Sequence, residues 1–384
     1  MKLILVAGAR PNFMKIAPLV KALEKSARAD KHITWKLVHT GQHYDNTMSR
    51  IFFDELDIPE PDVHLEVGSA THAVQTAQIM IAFEKVCLVE NPDMIIVVGD
   101  VNSTVACSLV AAKMGIKIAH VEAGLRSYDR TMPEEINRVL TDALSDYLFT
   151  SCEDAHDNLL KEGIDKKKIF FVGNVMIDTL LAFKRKSDES TIMRQLGVEN
   201  SAGELRNYAL LTLHRPSNVD NRENFVVLIS ALKTVSQKIP IIFPVHPRTR
   251  KQIEAFSMSK NFNSCESMSE NRSGIFCVDP LSYLDFVKLM SHAKLVFTDS
   301  GGIQEETTIL GIPCITLREN TERPVTVTEG TNALAGTDPE KINKYTDDIL
   351  CGAWKKSRVP KLWDGKAAER IVSILKNYAM ELPL

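Results

Sequence analysis

Short apolar runs alternate along this chain with longer stretches whose apolar residues recur at helical spacing. The runs at 3–6, 35–38, 94–98, 116–120, 147–150 and 169–172 have the length and content of strands covered on both faces. Between them, 18–23, 73–89, 103–114 and 134–144 carry the period of a helix with one buried side. Strand followed by helix, repeated, predicts βα units and parallel sheets. The pattern restarts at 208–213, 241–245, 274–278, 295–298 and 313–317, after a charged stretch at 184–207 that reads as structureless. The fold class is therefore α/β with two Rossmann-like domains, 1–175 and 176–364, and a last helix over about 365–380 that packs back on the first. The Ser- and Asn-rich stretch 257–273 reads as a loop insertion.

Sheets of this kind bind ligands beyond the carboxyl ends of their strands. The polar clusters of this chain fall there. After the run at 295–298, Asp299, Ser300, Gly301 and Gly302 lead into a helix-prone segment at 303–310 that carries Glu305 and Glu306. Small residues at a helix start let backbone N–H groups and the positive dipole end face an anion, the seat of a diphosphate. Glu305 or Glu306, one turn on, reaches toward a ribose hydroxyl.

Composition narrows the ligand. The 46 basic and 49 acidic residues leave a net charge of -3, without the basic excess of a nucleic-acid binder, so an anion must be met by a local cluster. Seven scattered cysteines show neither CxxC pairing nor metal-ligand spacing and read as buried thiols of a cytoplasmic protein. No apolar run approaches the roughly 18 residues of a membrane span, and the amino terminus reads as a strand rather than a leader.

Arg10 and Lys15 bracket the start of the first helix, where a guanidinium fork and an ammonium reach a diphosphate or simply face solvent. Asp100 follows a buried strand and either caps the next helix or is free for chemistry. Glu122 follows a strand at a glycine-containing turn with no helix to cap. Pro133 opens a helix whose first-turn Glu134 is a dipole partner or an acid/base group. His214 ends a strand next to Arg215, His246 ends another two residues before Arg248, and Arg323 lies in a loop just beyond a further strand.

In order along the chain, GARPNFMK at 8–15, GD at 99–100, HVEAGLRS at 120–127, MPEEINR at 132–138, HR at 214–215, DSGGIQEE at 299–306 and TERP at 321–324 closely resemble the non-hydrolysing UDP-N-acetylglucosamine 2-epimerases. The resemblance covers nearly the whole chain. It implies a glycosyltransferase-B-type fold with facing domains, a homodimer, and neither metal nor cofactor. It also implies that Arg10, Lys15, Asp100, Glu122, His214, Ser300, Gly301, Gly302, Glu306 and Arg323 bind substrate, with Glu306 the ribose ligand. Phe286 falls where the family packs an aromatic near uracil, and Leu281 where some members have Gln and a backbone contact to the base suffices. Glu134 matches a catalytic carboxylate.

The implied reaction moves a hydrogen at C2 of an N-acetylhexosamine, which is scarcely acidic until UDP begins to leave C1. Elimination gives a 2-acetamidoglucal; reprotonation from the other face and return of UDP give the manno epimer for surface polysaccharide synthesis. Asp100, Glu122, Glu134 and His214 are the acid/base candidates. The rivals are the 2-epimerase of UDP-2,3-diacetamido-2,3-dideoxy-glucuronate, whose first turn also favours GARP, and a non-catalytic nucleotide-sugar sensor. Ala9, Asn12 and Pro216-Ser217 depart from many bacterial members. Gln42-His43-Tyr44-Asp45 keeps only the first Gln of a QHxxQ segment through which some relatives bind a second substrate molecule.

Overall fold

Strand β1 (Lys2–Ala7) buries every side chain but its first, as a strand in the middle of a covered parallel sheet must. In the computed structural model, which describes residues 1–29, 33–41, 52–200, 202–268 and 273–381, the chain forms two compact units. The first contains Met1–Ala182 and Lys361–Leu384, the second Phe183–Pro360.

The first unit holds β1, β2 (Thr34–His39), β3 (Val63–His64), β4 (Met94–Val98), β5 (Lys117–Ala123), β6 (Tyr147–Thr150) and β7 (Ile169–Phe171). They lie in the order β3-β2-β1-β4-β5-β6-β7, all pairs parallel. Strand order reverses between β1 and β4, so consecutive connections leave on opposite sides and open a crevice at those two carboxyl ends.

The second unit repeats this plan with β8 (Ala209–Thr212), β9 (Ile241–Pro244), β10 (Asn263–Ser264), β11 (Ile275–Val278), β12 (Leu295–Thr298), β13 (Cys314–Thr316) and β14 (Asn332–Leu334). Their order is β10-β11-β9-β8-β12-β13-β14, and the reversal falls between β8 and β12. The α/β class with two Rossmann-like domains expected from the alternating pattern, and the glycosyltransferase-B-type fold implied by the resemblance, are the class observed.

Three short strands escaped that pattern. β3, β10 and β14 are too brief for periodicity to show, and β10 lies inside the stretch read as an insertion, paired with β11 through Asn263 and Phe276. The charged stretch at 184–207 is not structureless either. The Val175–Ser187 helix runs into it and an Ile192–Gln195 helix follows. The reason is packing: Ile192, Met193, Leu196 and Val198 enter a core cluster with Tyr208 and Met290. The Gln42 to Asp45 segment lies outside the described residues. Among the described residues, no helix is long and apolar enough to cross a membrane.

The last helix, Ala367–Glu381, belongs to the first unit. It buries Ala367, Ala368, Ile371, Val372 and Leu375, and Lys25 of the Arg10–Ala29 helix meets Glu369 at 2.9 Å. Its start is held by Asp178, whose two carboxylate oxygens accept from the N–H groups of Ala367 (3.1 Å) and Ala368 (2.7 Å). Trp363 just before it donates to the Ser151 carbonyl at 2.8 Å. Asp178→Ala removes both acceptors and is expected to cost about 1 kcal/mol, a fall of roughly 2–4 °C in Tm by circular dichroism. An unchanged Tm would mean that the helix is held by its apolar face alone.

Candidate functional site

At the reversal in the first unit, Asn12 stitches the two turns together. Its Oδ1 accepts from the N–H groups of Gly8 (3.0 Å) and Ala9 (2.9 Å), and its Nδ2 donates to the Val98 carbonyl at 3.1 Å. One turn further along, buried Lys15 sends its ammonium to Oε2 of Glu122. Glu122 takes a left-handed backbone with φ of 73°, where the β5–β6 register shifts between Val121 and Ala123. That conformation costs a non-glycine residue roughly 1–3 kcal/mol, and here it aims the carboxylate back at the crevice. Gly99, with φ of 67°, makes room: a Cβ there would come within 2.7 Å of the Lys15 ammonium.

Asp100 does not cap the next helix; Val101 is the N-cap residue and makes no side-chain cap bond. Its carboxylate turns instead to Arg138, whose Nε and second terminal nitrogen lie 3.0 and 2.8 Å from Oδ2. Arg138, 1% exposed, also binds Glu135 three residues back on the Pro133–Leu144 helix. Glu135 accepts in turn from the N–H groups of Ser127 (3.0 Å) and Tyr128 (2.9 Å). Glu134 is half-buried in the first turn of the same helix.

Beneath these groups lies a buried charge relay. His120 bridges Asp142 (2.6 Å) and the Gly99 carbonyl (2.8 Å), and Asp142 also meets Arg126 at 2.7 Å. Burial acts to raise the Asp142 carboxyl, but His120 and Arg126 outweigh it and hold the group below its ordinary range. This ties the turn before Asp100 to the turn after Glu122, since the Gly124 N–H donates to Asp142 at 3.0 Å.

In the second unit Asp299, fully buried, does what Asn12 does in the first. It accepts from the N–H groups of His214 (3.0 Å) and Arg215 (2.9 Å) and from Asn218 Nδ2 (3.3 Å). The His214 ring, 37% exposed, lies with Nδ1 3.2 Å from Asp299 and 5.6 Å from the His246 ring. His246 caps the Pro247–Ala255 helix through its own Nδ1 at 3.2 Å, a structural task.

Ser300 is the N-cap residue of the Gly301–Leu310 helix and makes no side-chain cap bond. The first-turn N–H groups have no partners within the helix and point outward. Over them sits Arg323, 2.8 Å from Glu305 and 2.5 Å from Glu322, while Arg318 meets Glu322 at 2.8 Å and Arg215 meets it at 3.9 Å. Three guanidinium groups thus gather around Glu322 and Glu305 at a helix start. Gly301 permits the approach: a Cβ there would fall 2.2 Å from a terminal nitrogen of Arg323.

Glu306, 3% exposed, accepts from Tyr283 Oη at 3.0 Å. Burial pushes its carboxyl up to about 7, the Tyr283 hydrogen bond opposing and the neighbouring Glu305 adding to the rise. Leu281 and Phe286 are partly buried against the core cluster that also receives Ile303 and Ile312.

The candidates therefore fall into two clusters: Lys15, Asp100, Glu122 and Glu134 in the first unit, and His214, Ser300, Gly301, Gly302, Glu306 and Arg323 in the second. Arg10 opens its helix, and its side chain lies outside the described residues. Missed were Asn12, His120, Glu135, Arg138, Asp142, Tyr283, Asp299 and Glu322. One signal was available for Glu135, Arg138 and Asp142: all three occupy the buried side of their helix, at spacings where apolar residues would be expected.

Comparison with known proteins identifies the family. A family model described as UDP-N-acetylglucosamine 2-epimerase matches residues 25–376. The UDP-N-acetylglucosamine 2-epimerase of Methanocaldococcus jannaschii is 45% identical over 98% of this chain and 99% of its own. Its crystal structure in complex with UDP-GlcNAc and UDP superposes with a TM-score of 0.87, covering 98% of this chain and 100% of that one. The UDP-2,3-diacetamido-2,3-dideoxy-D-glucuronate 2-epimerase of Pseudomonas aeruginosa is 39% identical over 89% of this chain and 90% of its own. Paired with the two carboxyl-end clusters, matches of this length show that the chain belongs to the UDP-N-acetylglucosamine 2-epimerase family.

Proposed function

We propose that this protein interconverts UDP-N-acetylglucosamine and UDP-N-acetylmannosamine. The observation that carries the reading is the division of labour between the clusters: the second unit gathers three guanidinium groups at a helix start, and the first directs restrained carboxylates at a crevice. In this reading Ser300, Gly301, Gly302, Arg10 and Arg323 hold the diphosphate, Glu306 the ribose, Leu281 and Phe286 the uracil, and Lys15 assists through Glu122. A base takes the C2 proton as the C1–O bond to UDP breaks, the C–H electron pair becoming the C1–C2 double bond and the leaving pair staying on UDP. Protonation at C2 from the opposite face and attack of the UDP oxygen at C1 complete the exchange.

Asp100, Glu122, Glu134 and His214 supply the proton transfers. Helix-start N–H groups and Arg323 are already in place where negative charge develops on the departing UDP, which lowers the barrier without reorganisation. A cytoplasmic setting belongs to the same reading; it accords with thiols such as Cys87 and Cys314, which burial pushes up to about 11 and about 12 and leaves unreactive. A second reading, epimerisation of the diacetamido glucuronate nucleotide, is favoured by the Pseudomonas aeruginosa relative.

A second copy of this chain is the partner proposed. The His72–Glu90 helix buries Gln75, Ile79, Phe83 and Cys87, yet exposes Val74, Ile81 and Leu88 on another side at seven-residue spacing. A helix apolar on both sides wants cover on both.

Proton NMR in deuterated water is expected to show the C2 proton of UDP-N-acetylglucosamine lost to solvent while the manno epimer grows in. Asp100→Asn and Glu122→Gln should slow that exchange roughly 10²–10⁴-fold with UDP affinity retained; exchange at the parental rate in both variants sinks the assignment. Running the diacetamido glucuronate nucleotide in parallel separates the two readings. For the dimer, light scattering should report twice the chain mass for the parent and a single chain for Ile81→Glu with Leu88→Glu. A parent that runs as one chain at micromolar concentration rules the dimer out.

A further inference from the structure

Glu305 and Glu306 are adjacent, both buried, and differently compensated. Glu305 meets the Arg323 guanidinium at 2.8 Å. Glu306 has the Tyr283 hydroxyl, 3.0 Å from Oε1, and no cation partner among the described residues. Its other oxygen, Oε2, accepts no hydrogen bond among the described residues and is not sealed from solvent. A carboxylate so placed has room for one further donor at Oε2.

A hydroxyl group is one such donor. A ribose offers two adjacent hydroxyls, and it lies a fixed step from the diphosphate that the proposed function seats at Gly301 and Gly302. Glu306 stands a little over one helical turn, roughly 6–7 Å of rise, from that seat. Tyr283, 5% exposed at the start of the Tyr283–His292 helix, reaches it from the side.

Resting on the proposed function, we infer that Tyr283 is a positioning residue: its hydroxyl fixes the Glu306 carboxylate so that Oε2 accepts from a ribose hydroxyl, and nucleotide binding there releases a proton. The groups facing Glu306 are Tyr283 from the neighbouring helix and Glu305 from its own, with Arg323 engaging both Glu305 and Glu322. Burial holds the free Glu306 carboxyl up to about 7, so it is protonated below that pH and must ionise for Oε1 to accept from Tyr283 while Oε2 accepts from the ribose. Affinity therefore rises as pH rises through 7 and levels off above it. Tyr283 stabilises the ionised form, and its loss moves the midpoint upward.

The test is UDP affinity by isothermal titration between pH 6 and pH 9 for the parent, Tyr283→Phe and Glu306→Gln. The second phosphate ionisation of UDP is common to all three and cancels in ratios of Kd. Relative to Glu306→Gln, the parent should gain about tenfold in affinity from pH 6 to pH 8, the growth of its binding-competent fraction. Tyr283→Phe should bind roughly fivefold more weakly than the parent at pH 7 and converge on it at pH 9. With 2′,3′-dideoxy-UDP the pH-dependent differences should vanish.

A Tyr283→Phe deficit that is the same at every pH, or a parent whose pH profile matches that of Glu306→Gln, overturns the inference while leaving the proposed function in place. The Glu306→Gln arm stands alone if Tyr283→Phe folds poorly. Absence of UDP binding by the parent at every pH overturns the proposed function and this inference with it.

Discussion

In both units one buried side chain bridges two strands whose connections depart on opposite sides of the sheet. Parallel sheets leave bare N–H and C=O groups where strand order reverses, and those groups need partners once buried. Asn12 supplies an acceptor for two N–H groups and a donor for one carbonyl. Asp299 supplies acceptors for two backbone N–H groups and an amide. Each crevice is therefore a stitched seam, and the reactive side chains are positioned by where the stitch holds their turns.

The charges around each seam follow from the same economy of partners. A buried charge is tolerated when it is paired and hydrogen-bonded, and removing one partner leaves the other uncompensated at a cost of about 3–5 kcal/mol. Arg138 joins Asp100 to Glu135, and His120 with Arg126 surrounds Asp142. Glu322 gathers Arg215, Arg318 and Arg323. Such networks hold their members in single geometries, which suits groups that must stand ready before a reaction begins. Glu122 adds backbone strain, held in place by Lys15 and by the bulge at Val121.

Legibility in the sequence tracked how local the determining interaction is. β1, β4 and β12 announced themselves because burial on both faces demands an unbroken apolar run. β14 did not, since three residues carry no period. Asp100 and Glu122 stood out by following strands, but that Asp100 leaves the cap and pairs with Arg138 could not be read, because only the fold brings Arg138 to it. Asn12 was visible as a departure from relatives and gained a task once Val98 came beside it. Tyr283 reads as one more core aromatic until its hydroxyl is seen to end on Glu306.

The chain leaves the first unit at Ala182 and returns at Lys361. On the ribosome, the whole second unit emerges before the helix that completes the first. The Arg10–Ala29 helix must wait for its Ala367–Glu381 neighbour with apolar surface uncovered, while Asp178 waits for the N–H groups it accepts. Amino-terminal domains commonly finish folding first during synthesis. Here the helix that completes the amino-terminal unit is made last, so a product truncated before it carries the whole sequence of the second unit and an unfinished first.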